Sequence, residues 1–370
     1  AFSARNGVLA LASDPEDKLM SQSEYPPSFI LIVPLFHVTG CVPVMLSCFM
    51  AGLKLVIMYK WDAGKALPII QEERITNFVG VPTQSWDLVN HPDFEKYDTS
   101  SLKAVGGGGA PAPAALVDKV AKSIKKGGPQ LGYGMTETNA FGPGNTGKFY
   151  TDRPTSTGRA IRPMQLAVWD PVTKKPLGPN EYGEIMMFGP MLIRGYWNRP
   201  DATAETIENG WLHTGDVGTV DEDGFFRITD RMKDIIITAG GKNITPSEIE
   251  NQLKFSPYIS DAVVIGDKRK YLSCLVMIDY DNVAKYAQDN DVPFTDFASL
   301  CRAREIVRLI GDEIERVNRD FARVETIKQF RLIDQQLTAE DDELTPTMKL
   351  RRKFVNEKYK ILIDGMYASA

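Results

Sequence analysis

The stretch Phe29–Leu53, FILIVPLFHVTGCVPVMLSCFMAGL, runs for 25 residues without an Asp, Glu, Lys or Arg and is long enough to cross a bilayer. Whether it does so decides the fold. Pro34, Pro43, His37, Gly40 and Gly52 interrupt it, and a proline inside a helix removes an amide donor and clashes with the preceding turn. The better reading is a buried strand, Ser28-Phe-Ile-Leu-Ile-Val33, then a turn and a buried helix. No transmembrane span is expected.

Outward from that strand, short apolar runs alternate with longer helical periods as far as Gln130. Phe29–Val33, Leu53–Met58, Ile75–Val79 and Leu102–Val105 read as strands, separated by stretches such as Ala63–Glu73. This is the pattern of βα units and a mostly parallel sheet, hence an α/β fold. The clearest helix follows Gly109, with Leu116, Val117, Val120 and Ile124 on one face and Gly127-Gly128 as its stop. From about Gln165 to Asp230 the strands are short and Gly and Pro frequent, with a hairpin expected across Asp221-Glu-Asp-Gly224. A small β-subdomain fits there.

After Asp230 the texture changes again. Thr245-Pro246-Ser247-Glu248 predicts a capping box opening a helix to Leu253, and Ala262–Ile265 and Leu272–Ile278 read as strands. Ile306, Ile310, Ile314, Val317 and Phe321 form the apolar stripe of a long amphipathic helix. The domains expected are 1–230, with its βα region at about 28–160 and its β-subdomain at about 165–230, and 231–370, with a hinge near 230–234.

Composition narrows the function classes. With 43% hydrophobic, 25% charged and 9% aromatic residues the chain resembles an ordinary globular protein, and 370 residues suit two or three domains. Forty-three basic against 48 acidic residues give a formal charge of −5, which excludes a broadly basic nucleic-acid binder. Cys41, Cys48, Cys274, Cys301 and the three histidines show no metal-ligand spacing. A reduced, zinc-free, cytoplasmic protein is expected. The start at Ala1-Phe-Ser-Ala-Arg5 has neither an initiator Met nor a signal pattern, and reads as a chain cut from something longer.

Five segments carry candidate chemistry. Gln130-Leu-Gly-Tyr-Gly-Met-Thr-Glu-Thr138 combines glycines, an aromatic ring, hydroxyls and a carboxylate: glycines admit a ligand to the backbone, threonines can donate to phosphate and Glu137 can hold magnesium. Gly106-Gly-Gly-Gly-Ala-Pro111 ends a strand and opens a helix, so a flat ring can lie against it and helix amides favour anions. Trp211-Leu-His-Thr-Gly-Asp216 offers a carboxylate to two sugar hydroxyls. Thr229–Asp234 with Ala239–Asn243, and Leu344–Arg352 with Lys349, complete the set. Taken singly, each is equally a loop, a turn-capping Asp, a solvated linker or a basic helix face.

Their order changes that. "VPLFHVTG" (33–40), "GGGGAPAP" (106–113), "GYGMTET" (132–138), "GEIMMFGPMLIRGYWNRPDAT" (183–203), "WLHTGD" (211–216), "DRMKDIIITAGGKNITPSEIE" (230–250) and "LTPTMKLRR" (344–352) occur in the sequence in which the adenylate-forming superfamily carries them. The chain resembles that superfamily over essentially its whole length. An extended helix around Ile314–Phe330 and the form of the "LTPTMK" segment look most like the fatty acyl-CoA ligases. The resemblance implies part of a large α/β N-terminal domain with a small β-subdomain, plus a mobile α+β C-terminal domain.

It also implies roles. Tyr133, beside Gly134, would stack on adenine with Gly108, Gly109, Ala110 and Pro111 on its other side. Asp216 and Arg231 would hold the ribose, Thr136 the α-phosphate and Glu137 magnesium. His37 would lie between the acyl pocket and the nucleotide, with Val38, Thr39, Asn139, Ala140, Phe141 and Gly142 as pocket residues that do not select chain length. Lys349 would donate to the carboxylate and α-phosphate oxygens; Gly240, Gly241 and Lys242 would face the pantetheine channel, and Lys233 would be the hinge.

The implied reaction joins ATP and a carboxylic acid, fatty or aryl, into an acyl-adenylate and pyrophosphate, and coenzyme A then displaces AMP. A ligase acting on fatty acids can touch a membrane peripherally. One landmark departs from the pattern: the Ser/Thr/Gly-rich loop ending Pro-Lys-Gly is absent from the 370 residues. The isolated chain is therefore expected to adenylate poorly or not at all while keeping part of its AMP and acyl sites. Two other readings keep the same motifs, an adenylating enzyme with another acceptor and a non-catalytic adenylate-binding fragment.

Overall fold

The computed structural model describes residues 24–110, 112–335, 337, 342–343 and 351–368. They form two compact units, the first ending at Ile228 and the second beginning at Thr229.

The first unit is built on a seven-stranded sheet ordered β2-β1-β3-β4-β5-β6-β7. Its strands are β1 (Ser28–Leu31), β2 (Lys54–Ile57), β3 (Asn77–Gly80), β4 (Ala104–Gly107), β5 (Gly128–Gly132), β6 (Pro143–Thr146) and β7 (Arg159–Ala160). Pairs from β2 to β5 are parallel and the last two antiparallel. Every residue of β1 is buried, which explains why its run carries no charge. A helix of the wide, five-residue-turn type follows over Gly40–Leu46, passing into Ser47–Ala51. Pro43 lies inside it, where a missing amide is tolerated because the ladder is already irregular. The 25-residue stretch is thus a strand and a broken helix, and no described helix is long and apolar enough to cross a membrane.

Ala63–Glu73 is helical, with the Asp62 carboxylate accepting from the Lys65 N–H at 3.0 Å as its cap and Ala66, Leu67 and Ile70 buried. The helix after the glycine run covers Ala114–Ser123 and buries Leu116, Val117 and Val120. Its start corrects one expectation. Pro113 is its cap, so Gly106–Gly109 does not open the helix, and anion binding by helix amides at those glycines does not follow. Gly127-Gly128 does not stop it either: it ends at Ser123, and Gly128 already begins β5.

A second sheet orders β10 (Ile207–Glu208), β11 (Trp211–Val220), β9 (Gly183–Phe188) and β8 (Gln165–Trp169), with β12 (Phe226–Arg231) on β11. The expected hairpin is present between β11 and β12, and Asp221 accepts from the Phe225 N–H at 2.8 Å across its turn.

The second unit contains a two-stranded ribbon, β13 (Ile236–Ile237) with β14 (Asn243–Ile244), and a sheet ordered β15 (Ile259–Ile265), β16 (Leu272–Ile278), β17 (Ile327–Leu332). Both faces of the three-stranded sheet are covered. Ala262, Val264, Cys274 and Val276 share one core with Ile306, Ile310, Ile314 and Val317 of the helix Arg304–Asn318. Val263, Ile265, Leu275 and Met277 share another with Val355, Ile363 and Met366. Burying an Ile side chain contributes roughly 1.5–3 kcal/mol, so the helix stripe is a main source of this unit's stability.

Two expectations fail here. The helix stops at Asn318, leaving half-buried Phe321 beyond it, and the supposed extension to Phe330 is instead β17, in parallel register with β16. The capping box also fails: Pro246–Leu253 is helical, but the Thr245 side chain makes no capping bond. Asp230 supplies the cap, accepting from the Ser247 N–H at 3.0 Å and the Ser247 hydroxyl at 2.8 Å. Asp230 is therefore buried, whereas a solvated linker would expose it.

Candidate active site

Three of the expected site segments of the first unit follow the C-terminal ends of parallel strands: His37 after β1, Gly108–Ala110 after β4 and Tyr133 after β5. Ligands of open α/β sheets bind at that edge, because the loops there are free of the sheet's own hydrogen bonding.

Glycine is required in β4 by the sheet itself. A Cβ on Gly107 (φ +156°) would lie 2.0 Å from the Gly80 carbonyl oxygen of β3, and one on Gly106 would lie 1.9 Å from that of Gln130 in β5. A Cβ on Gly108 would lie 2.4 Å from the Gly132 oxygen, so the end of this run lies against the residue before Tyr133. Gly109 is exposed and open; Pro111 falls outside the described residues.

The loop after β5 folds on itself. A Cβ on Gly134 would sit 2.4 Å from the Ala140 carbonyl carbon, and Asn139 and Ala140 adopt positive φ of 54° and 66°. Thr136–Thr138 make a single tight turn, with Thr138 buried and Thr136 exposed. Three contacts tie this loop to the segment after β9. Asn139 Nδ2 donates to the Met191 oxygen at 2.7 Å, the Ile193 N–H donates to the Glu137 oxygen at 2.8 Å, and the Tyr196 hydroxyl donates to Glu137 Oε1 at 2.8 Å. Burial, and then the neighbouring Glu137, push the Tyr196 phenol above its ordinary range. Sequence reasoning quoted Tyr196 inside a motif and gave it no role; a tyrosine 59 residues from its carboxylate partner leaves no spacing signal.

Tyr133 and Asp216 meet directly: the phenol donates to the carboxylate across 83 residues of sequence. Asp216 is buried and lies inside a break in register between β11 and β9, which runs from His213 to Val217. Its own N–H donates to Thr214 Oγ1 at 3.1 Å, and that hydroxyl donates to the Ile185 oxygen at 2.6 Å. His37 is half-buried, and its Nδ1 accepts from the Thr39 N–H at 3.2 Å. Val38, Tyr133 and Met135 pack against the core that holds buried Phe141 together with Val168, Ile185 and Leu212 of the second sheet.

In the second unit, Arg231 ends β12 and Lys233 lies in a short turn, Met232–Asp234; both are exposed. Gly240, Gly241 and Lys242 form the exposed loop of the β13–β14 ribbon, closed by the Thr238 N–H donating to the Lys242 oxygen at 3.0 Å. Lys349 lies outside the described residues. Three residues further along the chain, Arg352 donates to Glu250 Oε1 at 2.6 Å and to the Val264 oxygen, while that same Glu250 oxygen accepts from the Val264 N–H at 2.7 Å. The pair thereby caps the outward backbone of edge strand β15. Sequence reading took Arg352 as part of a basic helix face and gave Glu250 no role; the structure instead has Arg352 half-buried on Glu250.

Comparison with known proteins places these features. Residues 6–197 match the model of the AMP-binding enzyme family, and residues 233–370 match the model of the AMP-binding enzyme C-terminal domain. The chain belongs to the AMP-binding enzyme family. Among curated relatives of this chain, a long-chain-fatty-acid–CoA ligase of Bacillus subtilis (strain 168) is 39% identical over 242 residues, covering 65% of this chain and 42% of that protein. A feruloyl-CoA synthase of Amycolatopsis sp is 36% identical over 251 residues, covering 64% and 48%. The chain spans less than half the length of these two relatives. A solved structure of o-succinylbenzoate CoA synthetase from Bacillus subtilis, in complex with the acyl-adenylate intermediate OSB-AMP, superposes with a TM-score of 0.72 at 24% identity, covering 95% of this chain and 63% of that one. At that identity the likeness concerns the fold.

Proposed function

We propose that this chain carries the nucleotide- and acyl-handling part of an ATP-dependent, AMP-forming acid–thiol ligase, which activates a carboxylic acid as its adenylate and passes the acyl group to coenzyme A. One observation carries the reading: the Tyr133 hydroxyl rests on the Asp216 carboxylate. An aromatic face for adenine beside a carboxylate for the ribose hydroxyls is the order in which a nucleotide presents those two parts. Gly108–Pro111 line the other side of the base, and Arg231 joins Asp216 at the ribose.

Thr136 binds the α-phosphate from its exposed turn. Glu137, half-buried and oriented by Tyr196, fits a magnesium site, since that ion takes one or two protein carboxylates and completes its shell with phosphate oxygens and water. When bound, magnesium neutralises phosphate charge. His37 separates acyl pocket from nucleotide, and Lys349 donates to the oxygens on which charge gathers. Lys233 serves as the hinge, and Gly240-Gly241-Lys242 line the thiol channel. The two named ligase relatives act, by their names, on a long-chain fatty acid and on a feruloyl group, so both substrate classes belong to the reading.

The test is AMP and thioester formation by the full-length polypeptide, with ATP, magnesium, coenzyme A and acids from acetate through palmitate to cinnamate. Thioester with one class of acid names the substrate, and Lys349→Ala is expected to slow adenylation by about 10²–10³-fold, the usual cost of removing one transition-state donor. AMP without thioester moves the acceptor away from coenzyme A; neither product overturns the reading.

A further inference from the structure

A polar cluster around His213 has no part in the reading above. His213 Nδ1 lies 2.9 Å from Glu184 Oε2 and its Nε2 lies 3.3 Å from Glu208 Oε2. Lys174 Nζ in turn donates to Glu208 Oε2 at 2.7 Å, and this lysine, followed by His213, holds the Glu208 carboxyl below its usual range. The second oxygen of Glu184 is also engaged: Oε1 accepts from the Gly215 N–H at 2.9 Å. Gly215 sits at φ +70° in the register break that also contains Asp216.

Glu184 is buried. A buried carboxylate keeps its place only while its lone pairs are matched by donors, and losing a donor costs more than the bond was worth in water. Its two carboxylate oxygens serve the same turn: one fixes the turn's amide and the other fixes the imidazole two residues earlier. On a regular strand side chains simply alternate, but between His213 and Val217 β11 advances four residues against two of β9, so the residues inside the break are aimed by its turn and not by the pleat. Whatever locks this break therefore sets the direction of the Asp216 carboxylate.

We propose that His213 is a positioning residue: through Glu184 and the Gly215 amide it fixes the β11 bulge that aims Asp216 at the 2′- and 3′-hydroxyls of the ribose. This rests on the reading of Asp216 as the ribose acceptor. The lock is a side-chain relay; His213 itself touches no ligand.

The experiment is calorimetric binding of AMP and of 2′,3′-dideoxy-AMP to the full-length polypeptide and its variants, with thermal unfolding followed alongside. Asp216→Asn first tests the underlying reading: it should weaken AMP about tenfold, the equivalent of one charge-assisted hydrogen bond, and leave the dideoxy analogue nearly unchanged. If both ligands respond equally to that change, the ribose reading falls and the proposal with it. If Asp216→Asn behaves as stated, His213→Phe should reproduce its pattern, weakening AMP about tenfold with the analogue within about twofold. His213→Asn, whose amide can still donate to Glu184, should restore most of the affinity.

Glu184→Gln provides a second route should the Phe variant not fold, and an AMP-selective loss is expected there too. Equal loss for both ligands in the His213 and Glu184 variants, or no loss in either, overturns the positioning role while leaving Asp216 in place. A lowered unfolding temperature with an unchanged AMP-to-analogue ratio does the same.

Discussion

Two segments of the first unit, Gly106–Gly109 and Trp211–Asp216, hold their shape by opposite means. In the first, backbone meets backbone: hypothetical Cβ atoms on Gly106 and Gly107 fall about an ångström inside any tolerable contact with neighbouring strands. In the second, side chains do the holding, through Glu184, Thr214 and the Tyr133–Asp216 bond. The first is a steric limit with no adjustable part, while the second is a set of polar contacts each worth on the order of 1 kcal/mol net. Substitutions should therefore separate them by size of effect, and also by kind, since steric damage spreads through the sheet and polar damage stays local.

The largest effect is expected from Gly107→Ala. With the Gly80 oxygen 2.0 Å from the new methyl, β3 and β4 must part at the centre of the sheet. A loss above about 4 kcal/mol is expected, in the range reserved for overpacking of a well-ordered interior. Urea unfolding monitored on the first unit measures it. Gly109→Ala, where the nearest atom is Val81 Cγ1 at 3.8 Å, should cost only the roughly 1–2 kcal/mol of a left-handed alanine. Equal costs at the two positions would break the steric account.

Next comes a polar contact that is nearly as costly because it is charged and enclosed. Arg352 and Glu250 close the edge of β15 in the second unit, and Arg352 also lies 3.9 Å from Asp234. Removing one partner of a buried pair leaves the other uncompensated, at about 3–5 kcal/mol. Arg352→Met should lower the unfolding midpoint of the second unit accordingly. The double change Glu250→Met with Arg352→Met should recover a large part of the loss, as an apolar replacement of both partners commonly does. A double variant no better than the single one would show that the pair's worth lies in capping the Val264 backbone and not in its charge.

These contrasts explain what sequence could and could not disclose. The parallel strands, the hairpin at Asp221–Gly224 and the stripe Ile306–Val317 were readable because burial imposes a period on the chain, and period is local. The extension of that helix to Phe330 rested on family resemblance and not on a period, and the turn after Asn318 that leads to β17 carries no glycine or proline to mark it. The capping box failed for another reason: Thr245 and Glu248 have the right spacing, but the cap comes from Asp230, which reaches the neighbouring Ser247 amide from 17 residues before it. In the site, Tyr133, Glu137 and Asp216 were visible as residue types in an ordered series of motifs. Their partners were not. Tyr196 stands 59 residues from Glu137, loop against loop, and Glu184 stands 29 from His213 across β9 and β11, so these contacts are set by tertiary packing and strand pairing, which no local pattern reports.

The smallest effect sharpens the comparison best, because it applies one substitution to two tyrosines. Tyr150 is buried, and among the described residues neither its hydroxyl nor that of nearby Ser85 has a hydrogen-bond partner; both residues line a cavity of about 20 Å³ between β4, β5 and the covering helices. Burial pushes the Tyr150 phenol upward, as expected of an oxygen removed from water with nothing charged beside it. Tyr150→Phe therefore deletes a group that contributes no bond within the protein, and the change in stability should stay within about 1 kcal/mol of zero, with a gain as the natural direction. Tyr133→Phe deletes an oxygen of the same chemistry that supports the Asp216 carboxylate, and should cost about 1–3 kcal/mol because a largely buried acceptor loses its donor. Differential scanning calorimetry of the two variants under one buffer decides the matter. If both tyrosines respond alike, ring packing holds the Trp211–Asp216 segment in place, and its polar contacts are a consequence of the fold and not a cause of it.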